Sequence, residues 1–261
     1  MSELVQYQVE NHIAQLTLTN PPANAYSYDM MLQLDSAILK ARMDESVHVI
    51  VLRGSGDKFF CAGADIEMLG NVTPEFKYNF CLHANETLNR LEQTPKLVIA
   101  AINGHCVGGG LEVAMAADIR IAKAEGGKVG LPEVHLGVLP GTGGTQRLSR
   151  LVGASKSIEL MATGQNLSFE QAKELGIINQ ILPAENFAAE VNTYAAQFTP
   201  PQKASFAVGA IKRAVRSGIE MSFQDGLALE RELQQQLFKS KDAAEGISAF
   251  TEKRKPEFKG A

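Results

Sequence analysis

Cysteine is scarce, three in 261 residues. Cys61, Cys81 and Cys106 are odd in number and lack C-x-x-C spacing. That excludes a disulfide framework and a structural zinc site, and implies free thiols in a reducing compartment, the cytoplasm. The histidines (His12, His48, His83, His105, His135) show no metal-ligand spacing, so no metal is expected. Positive charge has no surplus: 25 Lys+Arg against 29 Asp+Glu leave a net charge of -4. A nucleic-acid backbone is therefore a poor partner. Long apolar runs are missing too. Leu97 to Ile102 is far short of the roughly 20 residues of a membrane span, and the start, MSELVQYQVE, has no basic head and apolar body, so neither membrane nor secretory signal is expected. The dinucleotide fingerprint G-x-G-x-x-G after a first strand, the phosphate loop G-x-x-x-x-G-K-[ST] and the nucleophile elbow G-x-S-x-G are absent. What remains is ordinary globular composition, with 45% hydrophobic and 21% charged residues, and enough chain for a sizeable core.

Val5, Tyr7 and Val9 alternate with polar residues, and Ile13, Leu16 and Leu18 follow Asn11-His12, which predicts a β-hairpin ending at Pro21-Pro22. Met31, Leu34, Ile38 and Ala41 fall at helical spacing. Val47–Leu52 reads as a buried strand closed by the turn Gly54-Ser55-Gly56-Asp57. A helix through Phe76, Phe80, Thr87, Leu88 and Leu91 precedes a second buried strand, Leu97–Ile102. A short small-residue helix over 111–117 and a strand over 119–122 come next. From Gly143 onward strands nearly stop, and helical patterns cover 145–152, 155–163, 168–175, 185–198, 203–216, 221–239 and 241–254. Strands alternating with helices predict an α/β fold with a largely parallel sheet. Thr199-Pro200-Pro201 breaks a helix but is too short to separate domains.

Three segments carry chemistry. Phe59 to Ile66 (F-F-C-A-G-A-D-I) follows a strand and its turn; small residues at 62–64 admit a ligand close to backbone amides, although a tight packed connection needs small residues equally. Asn103 to Glu112 (N-G-H-C-V-G-G-G-L-E) runs from a buried strand through three glycines into a helix, exposing amides suited to an anion; Glu112 in its first turn also suits the helix dipole alone. In Gly130 to Gly137 (G-L-P-E-V-H-L-G), Glu133 has apolar neighbours, so desolvation should raise its pKa and make it a proton carrier; a surface carboxylate after a proline turn is the alternative. The glycine-rich run that follows, to Gly144, suits a phosphate or a glycine-cornered turn into a helix. Cys106, with no base beside it in sequence, reads as a small apolar filler.

The order and spacing of these segments are specific. With N-P-P-A-N-A at 20–25, the three segments extended through G-T-G-G-T-Q-R to 147, and A-F-T-E-K-R-K-P-E-F-K at 249–259, the chain resembles the enoyl-CoA hydratase (crotonase) family over essentially its whole length. The resemblance implies a spiral of ββα units over 1–195, and a C-terminal helical trimerisation region over 196–261 within the same domain. It implies a homotrimer, or a homohexamer built as a dimer of trimers. The shared chemistry is stabilisation of a coenzyme A thioester enolate, with an oxyanion hole mapping onto the backbone N–H groups of Ala64 and Gly109. Substrate and coenzyme contacts map onto Ala23, Ala25, Ala62 and Ala64, and onto Asp65, Ile66 and Gly109. Lys253 is expected at the 3′-phosphate of coenzyme A bound by a neighbouring subunit. No separate cofactor is implied, because coenzyme A is part of the substrate.

Hydratases of the family carry two glutamates, and both positions are filled, by Glu112 and Glu133. The implied activity is reversible syn addition of water across the 2,3-double bond of a trans-2-enoyl-CoA, as in fatty acid β-oxidation. Same-fold alternatives are an enoyl-CoA isomerase, which needs one carboxylate, and a methylglutaconyl-type hydratase. An RNA-binding relative is the remote alternative: Lys212, Arg213 and Arg216 share one expected helix, but no aromatic–basic stripe accompanies them. Tyr26 stands where relatives often carry leucine, and Glu125-Gly126-Gly127-Lys128 is unusually glycine-rich. A phenol at 26 is expected in the acyl or pantetheine region, bearing on chain-length preference.

Overall fold

Asn11 and His12 both take positive φ, 49° and 67°, the geometry of a two-residue hairpin turn. They join β1 (Val5–Glu10) to β2 (Ile13–Leu18) in antiparallel register. The structure, a computed structural model, describes residues 2–261. After the hairpin come α1 (Tyr28–Met43), β3 (Val49–Gly54), β4 (Phe59–Cys61), α2 (Ile66–Gly70), α3 (Pro74–Glu92) and β5 (Leu97–Ile102). Next are β6 (His105–Val107), α4 (Gly109–Met115), β7 (Ile119–Lys123), β8 (Lys128–Gly130) and a 3-10 turn over Glu133–Leu136. Then follow α5 (Gly144–Val152), α6 (Ala154–Thr163), β9 (Leu167–Ser168), α7 (Phe169–Glu174) and β10 (Gln180–Leu182). The chain ends in α8 (Phe187–Ala196), α9 (Ser205–Gly218), α10 (Phe223–Phe238) and α11 (Lys241–Thr251).

The strands form two sheets. One has the order β1-β2-β3-β5-β7-β10 and the other β4-β6-β8-β9. Successive strand pairs β3/β4, β5/β6 and β7/β8 are split between the sheets, and helices return the chain to the next pair. That is the ββα spiral. From β2 to β10 the large sheet is parallel, and both its faces are buried, as parallel sheets require. Val98, Ala100 and Ile102 of β5 pack into the main core, while Leu97, Ile99 and Ala101 face Phe187, Val191 and Ala195 of α8. Helix α8 thus belongs with the sheet layer, and α9–α11 follow beyond it.

Sequence periodicity missed the small sheet as a sheet, because β4, β6 and β8 are only three residues each. These three strands run parallel. Their carboxyl ends deliver Ala62, Gly108 and Leu131, the starts of the three segments singled out above. Ligands of open parallel sheets sit outside such strand ends.

Candidate active site

The opening loop and the first amide loop are stitched together. Ala62 N–H donates to the Ala23 carbonyl at 3.0 Å, Tyr26 N–H to Gly63 at 2.9 Å, and Asp65 N–H to Tyr26 at 3.0 Å. Asn24, 2% exposed, donates through Nδ2 to the Ser55 and Phe59 carbonyls at 2.9 and 3.0 Å. The asparagine in the opening motif is therefore a staple, as is Asn103, which accepts from Gly54 N–H and donates to the Gly56 carbonyl. Asp65 caps α2 by accepting Met68 N–H at 3.0 Å, and Ile66 starts that helix with its side chain exposed. Ala23, Ala25, Ala62 and Ala64 are all half-buried.

The first and second loops touch. A Cβ added at Gly63 would lie 3.1 Å from the Gly109 nitrogen. Gly109 itself has no room for a side chain, since its Cβ would fall 2.2 Å from the Tyr26 hydroxyl. Among the described residues, no backbone carbonyl accepts the N–H of Ala64 or of Gly109. Each of the two touching loops therefore carries an N–H with no backbone acceptor among the described residues.

Glu112, 2% exposed on α4, points into the glycine-rich turn. Its Oε1 accepts the N–H groups of Thr142 and Gly144, both at 2.7 Å. The turn does cradle an acidic group, but it is the protein's own carboxyl. A Cβ at Gly144 would meet that same oxygen at 2.9 Å, so glycine is needed for the approach. Burial pushes the Glu112 carboxyl up from its ordinary value, while the two amides, the Thr142 hydroxyl and Arg147 hold it back. Arg147 also fixes the turn: it donates to the Thr142 carbonyl at 3.4 Å and is anchored by Glu92 and Asn89 at 2.9 and 2.8 Å.

Glu133 opens the 3-10 turn after β8, half-buried. Burial, with the Glu112 charge adding to it, pushes its carboxyl up to about 7. Its Oε2 is buried without a hydrogen-bond partner among the described residues, and its Oε1 lies 3.1 Å from the position of a Cβ on Gly108. Glu133 thus lies against the second loop, at Gly108, and close enough to Glu112 to feel its charge. Leu136, Val138 and Leu139, just beyond Glu133, keep their apolar side chains exposed.

Other expectations resolve differently. The Tyr26 phenol, expected along the acyl path, is only 3% exposed and sits 3.0 Å from Thr142 Oγ1. Gly126 and Gly127 are small for packing, against Lys123 and against the His105 backbone. Cys106 is fully buried. Lys212 is buried on Asp118 at 2.8 Å, and Arg216 pairs with Glu92 and Asp118 at 2.8 and 3.4 Å. Two of the three cations of the supposed basic helix therefore serve internal ion pairs. Lys253 lies at the far end of α11 with an exposed side chain and φ of 56°. Its N–H bonds Phe250 and that of Arg254 bonds Ala249, a Schellman motif with lysine in glycine's usual place. Within one chain nothing brings it to the glutamates. Sequence reasoning missed Thr142, Arg147 and the supporting part of Tyr26, whose contacts join segments remote in sequence.

Among the described residues no cluster of three or more His, Cys, Asp or Glu is arranged to hold a metal, and no helix is long and apolar enough to cross a membrane. The chain matches the family model for enoyl-CoA hydratase/isomerase over residues 8–261. It is 40% identical to a probable enoyl-CoA hydratase of Bacillus subtilis, over 98% of each chain. It is 38% identical to a short-chain-enoyl-CoA hydratase of Clostridium acetobutylicum, over 95% of this chain and 94% of that one. A crystal structure of an enoyl-CoA hydratase from Geobacillus kaustophilus superposes with a TM-score of 0.97 at 41% identity, covering 100% of this chain and 98% of the other. On sequence and fold together, this chain belongs to the enoyl-CoA hydratase/isomerase family and is an enzyme of the crotonase fold.

Proposed function

We propose that the enzyme is a hydratase that adds water syn across the 2,3-double bond of a trans-2-enoyl-CoA to give the 3-hydroxyacyl-CoA. The observation that carries this is the pair of carboxylates in contrasting surroundings at one site. Hydration needs a water held and deprotonated at Cβ and a proton delivered at Cα, two tasks that suit two groups. Glu112, held by the Thr142 and Gly144 amides, keeps a charged oxygen for water and takes its proton as the hydroxide adds to Cβ. The electron pair moves onto the thioester oxygen, where the Ala64 and Gly109 N–H groups receive it; each such donor contributes about 2.7–4 kcal/mol in the transition state. Glu133, whose carboxyl is pushed up to about 7 by burial, then gives its proton to Cα as the carbonyl re-forms.

The exposed Leu136, Val138 and Leu139 beside Glu133 suit the apolar acyl chain. Coenzyme A enters as part of the substrate, along Ala23, Ala25 and the Ala62–Ile66 loop. We infer a homotrimer or homohexamer. Ile211, Val215 and Ile219 at successive turns of α9, with Phe223 and Phe238 on α10, leave large apolar side chains exposed, the kind of surface that an interface between copies would cover. In that assembly Lys253 serves a neighbour's coenzyme phosphate. The free thiols fit a reducing, cytoplasmic setting. The test is crotonyl-CoA hydration, followed as loss of the enoyl thioester absorbance with the 3-hydroxy product identified. Shift of a 3-enoyl-CoA double bond without hydration of crotonyl-CoA would identify an isomerase instead.

A further inference from the structure

Tyr26 spends a polar group where an apolar one would pack. Its ring lies 5.9 Å from that of Phe80, its hydroxyl presses on Gly109, and it is 3% exposed. Burying a phenol is costly unless its hydroxyl is bonded, and phenylalanine would fill the same space without that demand. Among the described residues, the one partner of the hydroxyl is Thr142 Oγ1 at 3.0 Å.

Thr142 is the joint between this phenol and the base. Its N–H donates to Glu112 Oε1 at 2.7 Å, while its hydroxyl bonds the phenol. One residue thus takes the phenol on its side chain and the carboxylate on its backbone, so the Tyr26 hydroxyl reaches Glu112 through Thr142. Burial keeps the phenol protonated, holding its titration well above the ordinary value.

We propose that Tyr26 is a positioning residue: its buried hydroxyl, bonded to Thr142 Oγ1, fixes Thr142 so that its N–H stays on Glu112, and so holds that carboxylate ready to accept a proton from water. The proposal rests on the reading of Glu112 as the water-activating base. The charged and titratable groups facing Glu112 are Tyr26 itself, Arg147 on α5 and Glu133 beyond β8. Cys61 and Cys81 face Tyr26. None of the others takes over the donor that Thr142 supplies.

The test compares wild type with Tyr26→Phe and Thr142→Val, each close in shape to the residue it replaces. Glu112 is titrated by infrared spectroscopy on its protonated carboxyl band, with Glu112→Gln subtracted to isolate it, and kcat/KM for crotonyl-CoA is followed against pH. Tyr26→Phe is expected to move the Glu112 titration to higher pH by about 0.5–1 unit, and to carry the acidic limb of kcat/KM with it. Thr142→Val should move both in the same direction, and the double variant should add little, since the two groups act in series. A Glu112 titration and acidic limb unchanged in Tyr26→Phe overturn the proposal, even if that variant is slower or less stable. Should Tyr26→Phe not fold, an unshifted Thr142→Val overturns it. Wild-type enzyme that fails to hydrate crotonyl-CoA overturns the hydratase reading instead, and the infrared titration still decides whether Tyr26 acts on Glu112.

Discussion

Glu112 accepts two backbone N–H groups at 2.7 Å through one oxygen, while Glu133, close enough to feel its charge, has a buried oxygen with no partner among the described residues. The difference separates two chemically identical side chains. Hydrogen bonds to the charged form favour ionisation, and desolvation without them favours the proton. On the hydratase mechanism proposed above, the singly protonated pair is the working form in both directions, with the proton resting on Glu133 before hydration and on Glu112 after it.

The first consequence is a pH profile. Because hydration consumes no net proton, kcat/KM for hydration and for dehydration should share one bell shape. It should fall on the alkaline side as the pair loses its proton, at about 7. Glu133→Gln should abolish that limb in its residual activity. Profiles measured with crotonyl-CoA and with 3-hydroxybutyryl-CoA check this, and alkaline limbs far apart would reject the shared pair.

Stability follows the same titration with the opposite benefit. The carboxyl of Glu133 is raised from 4.5 to about 7 in the folded enzyme. The unfolded chain therefore ionises first, and the folded state is penalised progressively as pH rises between those values. The penalty is absent below 4.5 and complete above about 7. Glu133→Gln removes it, so the variant should melt higher than wild type at pH 8 and nearly level with it near pH 4.5. Each kcal/mol is worth about 2–4 °C in a chain of this size. Equal melting temperatures at pH 8 would mean that the carboxylate is not desolvated.

Much of this was legible before the structure. Six consecutive apolar residues, Leu97–Ile102, mark β5 because both faces of the large sheet are buried. Strands of three residues show no period, so the small sheet that aims the motifs was invisible except as loops. Glu112 and Glu133 stood out by motif. Tyr26 and Thr142 did not, because their bond spans 116 residues, and the donors to Glu112 are backbone amides that any residue carries. The ion pairing of the cations on α9 was hidden for a related reason: Asp118, which neutralises Lys212, lies 94 residues earlier, the difference between the two positions.

That ion pair gives a stability prediction away from the site. Lys212 is buried against Asp118, which also meets Arg216 and accepts Val98 N–H at 2.8 Å. Asp118→Ala strands a buried ammonium and should cost about 3–5 kcal/mol in urea unfolding. Adding Lys212→Met should recover part of the loss, because the uncompensated charge goes with it. A single variant near wild-type stability would show that water, not Asp118, satisfies Lys212.

Gly109 tests the amide pair, whose donors no side-chain deletion can reach. In Gly109→Ala the new methyl would fall 2.2 Å from the Tyr26 hydroxyl, so the loop must move and take its N–H with it. Loss of one oxyanion donor corresponds to about 10²–10³ in kcat. Crotonyl-CoA turnover with circular dichroism as a folding control checks it, and near-normal turnover would remove Gly109 from the oxyanion hole.

The division of labour between the glutamates is the last and most exposed prediction. Glutamine keeps the size and hydrogen bonding of glutamate but cannot carry the proton, so Glu112→Gln and Glu133→Gln should each lower kcat by about 10²–10⁴ with thioester binding nearly intact. The double variant should be far less damaged than the product of the two losses, because both groups act on one reacting unit. Exchange of the α-proton of a saturated acyl-CoA in deuterium oxide separates their tasks. It needs the enolate and a base at Cα but no water at Cβ. Glu133→Gln should suppress it, whereas Glu112→Gln should largely spare it. Suppression by Glu112→Gln alone would exchange the two assignments. Near wild-type hydration by Glu133→Gln would leave one working carboxylate at the site, and a one-base isomerase would then account for it better.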